Sequence, residues 1–201
     1  MVAFAQVDSL DFGNLAYFFL RMRFFDQISD LKGKLMDTMH TIAAEFEVNT
    51  QNLLDWADGL RADQFELRPS SGKWSVLEVL EHLFIVEKGA AKLSRPDAEP
   101  VERDLEKSRN RMTRGMADLN QPFAGGSAID PKGRFADYAE WRAAYVANRA
   151  ELVQLGNEKG WDGLCMAFPH PFFGNLTRAE WVIFSGIHAN RHLAQMQSYV
   201  L

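Results

Sequence analysis

The sequence predicts an all-α protein: a four-helix bundle with a long crossover between its second and third helices and an N-terminal extension. Three observations predict it. Four long segments carry apolar residues at helical spacing. Two of them open on a Ser/Thr-x-x-Glu capping box. No segment of useful length alternates apolar and polar residues between turn signals, as a half-buried strand would. With 201 residues, 47% of them hydrophobic, the chain can bury one substantial core.

Residues 1–35 precede the bundle pattern, which is expected over 36–201. Their stretch LDFGNLAYFFLRMRFFDQ is rich in phenylalanine, and burying each such side chain is worth about 1.5–3 kcal/mol. The extension is therefore expected to dock on the bundle or on a second subunit. The first bundle helix follows, with Met39, Ala43, Phe46, Thr50, Leu53, Ala57 and Leu60 in one stripe that only Thr50 interrupts. The second begins at Ser75, boxed with Glu78, and runs to Leu93 or Ser94. About 42 residues then separate it from the third helix, too many for a short bundle connection and suited to a crossover. The crossover tip, FAGGSAIDPKG, reads as a mobile loop. The third helix opens at Asp137, presents Tyr138, Trp141, Tyr145, Asn148, Leu152 and Leu155 on one face, and ends between Gly156 and Gly160. The fourth is capped by Thr177 with Glu180 and is expected to reach Leu201, roughly 37 Å along its axis.

Charge and cysteine usage narrow the function classes. A net charge of −5 does not make a surface for nucleic-acid phosphates, so no such partner is expected. Cys165 is the single cysteine and cannot form an intramolecular disulfide. With no secretory leader pattern, a reducing cytoplasm is expected. Apolar runs such as NLAYFFL fall short of the ~20 residues that cross a bilayer, so no membrane partner is expected either.

The chemistry concentrates in histidines. His188 and His192 stand four apart on the last helix, so they lie about 40° apart around it and one turn along it. They share a sector with Trp181, Ser185, Gln195 and Tyr199, with Arg191 at its flank, while Asn190 and Gln197 take the opposite side. His82 sits on an apolar face of the second helix among Val79, Ile85, Val86, Gly89 and Leu93. Taken alone, it is more simply a hydrogen-bonded core residue. Three inward histidines together would leave up to six ring nitrogens to satisfy, and one divalent cation satisfies three at once. Neutral imidazoles suit zinc or nickel in particular, with iron, cobalt or copper also compatible. Three ligands leave coordination positions open, the mark of a reactive rather than a structural ion. Ala189 stands where zinc peptidases carry a glutamate, which disfavours a peptidase.

The other candidates have plainer readings beside the functional ones. His170, between Pro169 and Pro171, could serve as an acid or base beside the pocket, or be a loop residue satisfied by backbone groups. Glu78 could orient His82 from behind, although its capping box already explains it. Asn148 and Arg191 could reach a substrate or be solvated, and Arg109, Arg111 and Arg114 read as a solvated helix face. Cys165 reads as a small buried hydrophobe and His40 as a solvated residue.

Three blocks in order, GKWSVLEVLEHL (72–83), HPFFGNLTRAEW (170–181) and HANRHLAQM (188–196), resemble the DinB-like, or YfiT-like, family of bundle proteins regarded as metalloenzymes. The resemblance covers about residues 36–201. It implies a four-helix bundle with a long crossover and a divalent metal, nickel or zinc, held by His82, His188 and His192. It also implies a homodimer. Some relatives are thiol-dependent transferases or isomerases, so the resemblance implies an S-transferase or isomerase using a low-molecular-weight thiol on a small electrophilic substrate. A metal-dependent hydrolase, or a non-catalytic bundle that binds metal or a small ligand, is the alternative.

Overall fold

The computed structural model describes residues 12–70, 72–119 and 127–200, with side chains from Met36 onward. The elements in order are α1 (Phe12–Asp58), a 3-10 turn (Ala62–Glu66), α2 (Val76–Ser94), α3 (Leu105–Gly115), α4 (Tyr138–Lys159), β1 (Leu164–His170), β2 (Gly174–Thr177) and α5 (Arg178–Gln197). The chain divides into two compact units, Met1–His40 and Thr41–Leu201. Among the described residues no helix is long and apolar enough to cross a membrane.

In the first unit the α1 helix starts upstream of the expected boundary at residue 36, because no helix-stopping signal separates the aromatic stretch from the stripe. The expected docking of residues 1–35 falls on side chains outside the described residues. His40 is exposed, and its Nδ1 faces the Met36 carbonyl at 3.0 Å.

The second unit is the bundle. Its segment of α1 buries Phe46, Thr50, Leu53 and Ala57, with Ile42 and Leu54 beside them. The Thr50 hydroxyl donates to the Phe46 carbonyl at 2.8 Å, which explains how a polar residue occupies the stripe. Helix α2 starts as expected: Ser75 accepts from the Glu78 amide, and Glu78 accepts from the Ser75 amide. Helix α4 packs most extensively on α2. Along it Phe65, Tyr138, Trp141 and Tyr145 form a ring ladder with centroid spacings of 4.8, 5.6 and 4.5 Å, and the Trp141 indole donates to the Leu80 carbonyl at 2.6 Å. Helix α5 has its Thr177–Glu180 box but ends at Gln197, short of the expected Leu201, where Ser198 caps it by donating to the Gln195 carbonyl.

Two features go beyond the sequence reading, which places a solvated helix face at Arg109, Arg111 and Arg114 without bounding a helix there and expects no strand. The crossover carries a helix of its own, α3, which packs on α5; Ser108 donates to Glu180 there at 2.6 Å. An antiparallel hairpin, β1 with β2, precedes α5, pairing Leu164 with Thr177 and Cys165 with Leu176. Its first strand shows no alternation, because Met166, Ala167, Phe168 and Pro169 are all exposed, and Pro169 cannot donate to the ladder. Cys165 is buried as expected, and burial raises its thiol pKa.

Two buried cations hold the bundle. Arg149 donates to both oxygens of Glu87 at 2.7 and 2.9 Å, to Asn49 at 2.6 Å and to Thr50 at 2.9 Å. Tyr145 adds a bond to Glu87 at 3.0 Å, and Asn49 donates to the Gly186 carbonyl at 3.1 Å. One charge pair thereby ties α1, α2, α4 and α5. Arg178, 1% exposed, donates to the carbonyls of Ser94, Pro96, Lys159 and Gly160 at 2.6–3.0 Å. These are the orphan acceptors at the C-terminal ends of α2 and α4, where a cation is also favoured by the helix dipole.

Candidate metal centre

Helix geometry alone brings His188 and His192 onto one side of α5. The neighbouring α2 supplies His82 opposite them. His82 Nε2 lies 3.3 Å from His188 Nε2, and His192 Nε2 lies 3.0 Å from the same atom. The three side chains offer ligand atoms all within 4.8 Å of one another. Their ring centroids are 4.6–5.1 Å apart and the rings are nearly edge-on to each other, so nitrogens rather than ring faces converge. Phe184 stacks on His188 and Trp74 lies against His82, giving the cluster an aromatic wall.

The crossover completes the site from the other side. The Ile129 carbonyl lies 2.9 Å from His82 Nδ1. A carbonyl can only accept, so Nδ1 carries the proton and Nε2 presents its lone pair to the other histidines. Next to it Glu81, 2% exposed, accepts from the amides of Lys132, Gly133 and Arg134 at 2.8–3.1 Å. The described part of the expected mobile tip is thus anchored to α2 at two successive residues.

Electrostatics keep all three rings neutral. Burial lowers the His82 pKa, against the Ile129 bond and the charge of Asp130, which raise it. Burial pushes His188 well below its ordinary value, reinforced by His192 and His82. Burial first, then His82 and Arg191, push His192 down to about 3. Protonation is therefore not how the converging nitrogens are satisfied at neutral pH. A proton on His188 Nε2 could bridge one of its two contacts, while a cation serves all three rings. Two nitrogens held tetrahedrally at 2.0–2.1 Å from one ion stand about 3.3–3.4 Å apart, close to the separations seen here. The donor set fits a borderline divalent ion, with zinc and nickel both suited to it.

The DinB superfamily model matches residues 45–196, which include all three histidines. The chain belongs to the DinB superfamily. A curated relative in sequence, the uncharacterized protein YuaE of Bacillus subtilis (strain 168), is 27% identical over 157 residues, covering 74% of this chain and 92% of that protein. No solved structure matches the chain. The expected family, the helical bundle and the meeting of His82, His188 and His192 are thus all found in this DinB protein.

The remaining candidates fall into place around the triad. Glu78 is committed to the Ser75 amide at 2.7 Å and to Arg68, so the acceptor behind His82 is a backbone carbonyl rather than this carboxylate. Arg191 donates to the carbonyls of Met116, Asp118 and Leu119, and Gln195 donates to Leu119 at 2.6 Å. Both therefore hold the crossover against α5. Trp181 and Ser185 are buried, with the indole Nε1 and the hydroxyl finding no partner among the described residues. His170 packs its ring 4.5 Å from Phe184, and its Nδ1 accepts from the amides of Phe172 and Phe173 at 3.2 and 3.3 Å. Burial, then Arg111, push its pKa down to about 4. With Nδ1 occupied, the neutral ring carries its proton on Nε2, so His170 is a donor here and not a general base. Arg109 pairs with Glu45 at the surface, and Arg111, which is exposed, donates to the Phe173 carbonyl at 3.1 Å, so both lie on the solvated face and each also makes a contact across it.

Sequence reasoning missed Glu81, Ile129 and Arg149. The signal for Glu81 was present: a carboxylate beside His82 on a helix whose neighbours are apolar. Nothing in the sequence could have singled out a backbone carbonyl 47 residues away.

Proposed function

We propose that this chain is a divalent-metal-dependent enzyme in which His82, His188 and His192 hold zinc or nickel and a low-molecular-weight thiol is activated for transfer to a small electrophile. The supporting observation is the convergence of three neutral imidazole nitrogens at 3.0 and 3.3 Å, with no fourth His, Cys, Asp or Glu in the group among the described residues. When bound, a three-coordinated ion supplies a Lewis acid that lowers the pKa of a thiol or water placed against it. The residues of the chain do the rest. Ile129 fixes the ligand tautomer of His82, the Phe184 and Trp74 rings keep water from the cluster, and the Nε2–H of His170 is available as a donor to an anionic leaving group. The protein is proposed to act in the cytoplasm as a homodimer.

A hydrolase reading uses the same centre with water in place of the thiol, so the two are separated by cosubstrate. Metal-loaded protein is incubated with glutathione, bacillithiol or mycothiol and a chlorinated aromatic acceptor. Thioether formation above a His188→Ala control is expected. Ester cleavage that is indifferent to added thiol would move the assignment to a hydrolase. Absence of both, with metal bound, would leave a metal-binding module.

A further inference from the structure

Glu81 lies next to a ligand in sequence, yet its side chain does not face the ligand cluster. Both carboxylate oxygens are taken by three successive amides, Lys132, Gly133 and Arg134, at 2.8, 3.0 and 3.1 Å. Successive amides converging on one anion form a nest, and that turn needs a left-handed residue, supplied by Gly133 at φ +70°. The occupant of this nest is the protein's own glutamate. A carboxylate 2% exposed is costly unless so matched. The bond therefore determines where the turn sits on α2.

Three residues before that turn is Ile129, whose carbonyl is the acceptor for His82 Nδ1 at 2.9 Å. The segment 129–134 is thus clamped to consecutive residues of α2, by a carboxylate at 81 and an imidazole at 82. Without the first clamp the second loses its reference. The Ile129 carbonyl would be free to move off, and the His82 ring could place its proton on either nitrogen. A proton on Nε2 would point into the triad, where a lone pair is required.

We propose that Glu81 is a positioning residue of the metal centre, which selects the Nδ1–H tautomer of His82 by anchoring the 132–134 turn and, through it, the Ile129 carbonyl. The proposal rests on the triad being a metal site, but its first readout does not require metal. In the wild type without metal, long-range nitrogen–proton NMR is expected to show His82 as the Nδ1–H tautomer alone. In Glu81→Ala and in Gly133→Ala, which disturbs the turn without touching α2, signals of both tautomers are expected. Zinc affinity measured by competition with a chromogenic chelator is expected to fall 10- to 100-fold in both variants, the usual cost of losing a partner behind a metal-ligating histidine. Ser75→Ala, which removes the cap of the same helix, provides a destabilised control and should leave tautomer and affinity unchanged. The proposal is overturned if either folded variant keeps His82 purely Nδ1–H, or binds zinc within twofold of the wild type. A wild type that binds neither zinc nor nickel would defeat the metal reading alone, and the tautomer comparison would still decide the role of Glu81.

Discussion

At the scale of single residues, what matters most is which polar atoms are buried and what each one touches. Gly163 shows how little room this leaves. A Cβ there would lie 1.9 Å from Arg178 Nη1 and 2.9 Å from Cζ, so any side chain must expel the guanidinium from the four carbonyls it serves. Gly163→Ala is expected to lower stability by about 2–4 kcal/mol, combining overpacking with orphaned acceptors; urea denaturation measures it, and a loss below 0.5 kcal/mol on that order-of-magnitude scale would mean that Arg178 has another place to go. The histidines set a pH dependence whose sign is fixed by their environment. His82, His188, His192 and His170 all have folded pKa values below the unfolded value of about 6.5, with His192 near 3 and His170 near 4. The unfolded chain therefore binds more protons below that pH. The stability of the metal-free protein is complete above about 6.5 and is lost as pH falls from there toward 4, by up to about 1.4 kcal/mol per pH unit for each histidine. Urea midpoints at pH 7.5, 6 and 5 should fall steeply for the wild type, and less steeply, by about one proton, for His192→Gln. Equal slopes would show that His192 is not held neutral by the fold.

At the scale of elements, the stripes and caps were legible in the sequence, but which face lies deepest was less so. Phe46, Leu53 and Ala57 on α1 and Trp141, Tyr145 and Leu152 on α4 are buried as their spacing requires, and both capping boxes form. On α2 the apolar spacing around His82 points to Ile85, Val86, Gly89 and Leu93, yet these are half-buried or exposed. The innermost face is Val76, Leu80, Leu83, Glu87 and Ala91, each 0% exposed. A glutamate at the centre of that face hides it from any hydrophobic count, and the counter-charge that makes it tolerable, Arg149, sits 62 residues away on α4. Such pairs are costly to break and weakly stabilising as a whole. Arg149→Met should destabilise by about 3–5 kcal/mol because Glu87 is left buried without its cation. Adding Glu87→Leu should recover a large part of that loss, though Tyr145 and Asn49 keep the double variant below the wild type. A denaturant double-mutant cycle checks this, and additive losses would mean that the two charges are not coupled. The hairpin escapes the sequence reading, and α3 reads there only as a solvated helix face without bounds, for a related reason. The first strand buries Cys165 but leaves Met166 through Pro169 exposed, and α3 buries Met112 alone, so neither carries a readable stripe.

At the scale of the whole molecule, the candidate site was legible to the extent that its residues lie on regular helices. His188 and His192 follow from helical spacing and His82 from its apolar surroundings, whereas the parts contributed by the crossover depend on backbone atoms that no sequence pattern marks. The same division predicts how the protein responds to losing its ion. The ring ladder on α4, the Arg149–Glu87 pair and the carbonyls gathered by Arg178 make the core of the 41–201 unit, and none of them includes a ligand histidine. A structural zinc, by contrast, supplies the folding free energy of the domain that it organises. Here the ion should add only its binding free energy. That is about 2.7 kcal/mol when free metal is at a hundred times its Kd, which for a domain of this size corresponds to roughly 5–10 °C in Tm. Dialysis against EDTA is expected to lower the Tm by that amount and to leave the helical circular dichroism at 25 °C intact, and readdition of zinc or nickel should restore the Tm. The His82→Ala, His188→Ala, His192→Ala triple variant should melt at the same temperature with or without EDTA. Collapse of the helical signal on chelation would place the ion among the supports of the bundle, and an unchanged wild-type Tm at saturating metal would mean that the three nitrogens meet without holding an ion.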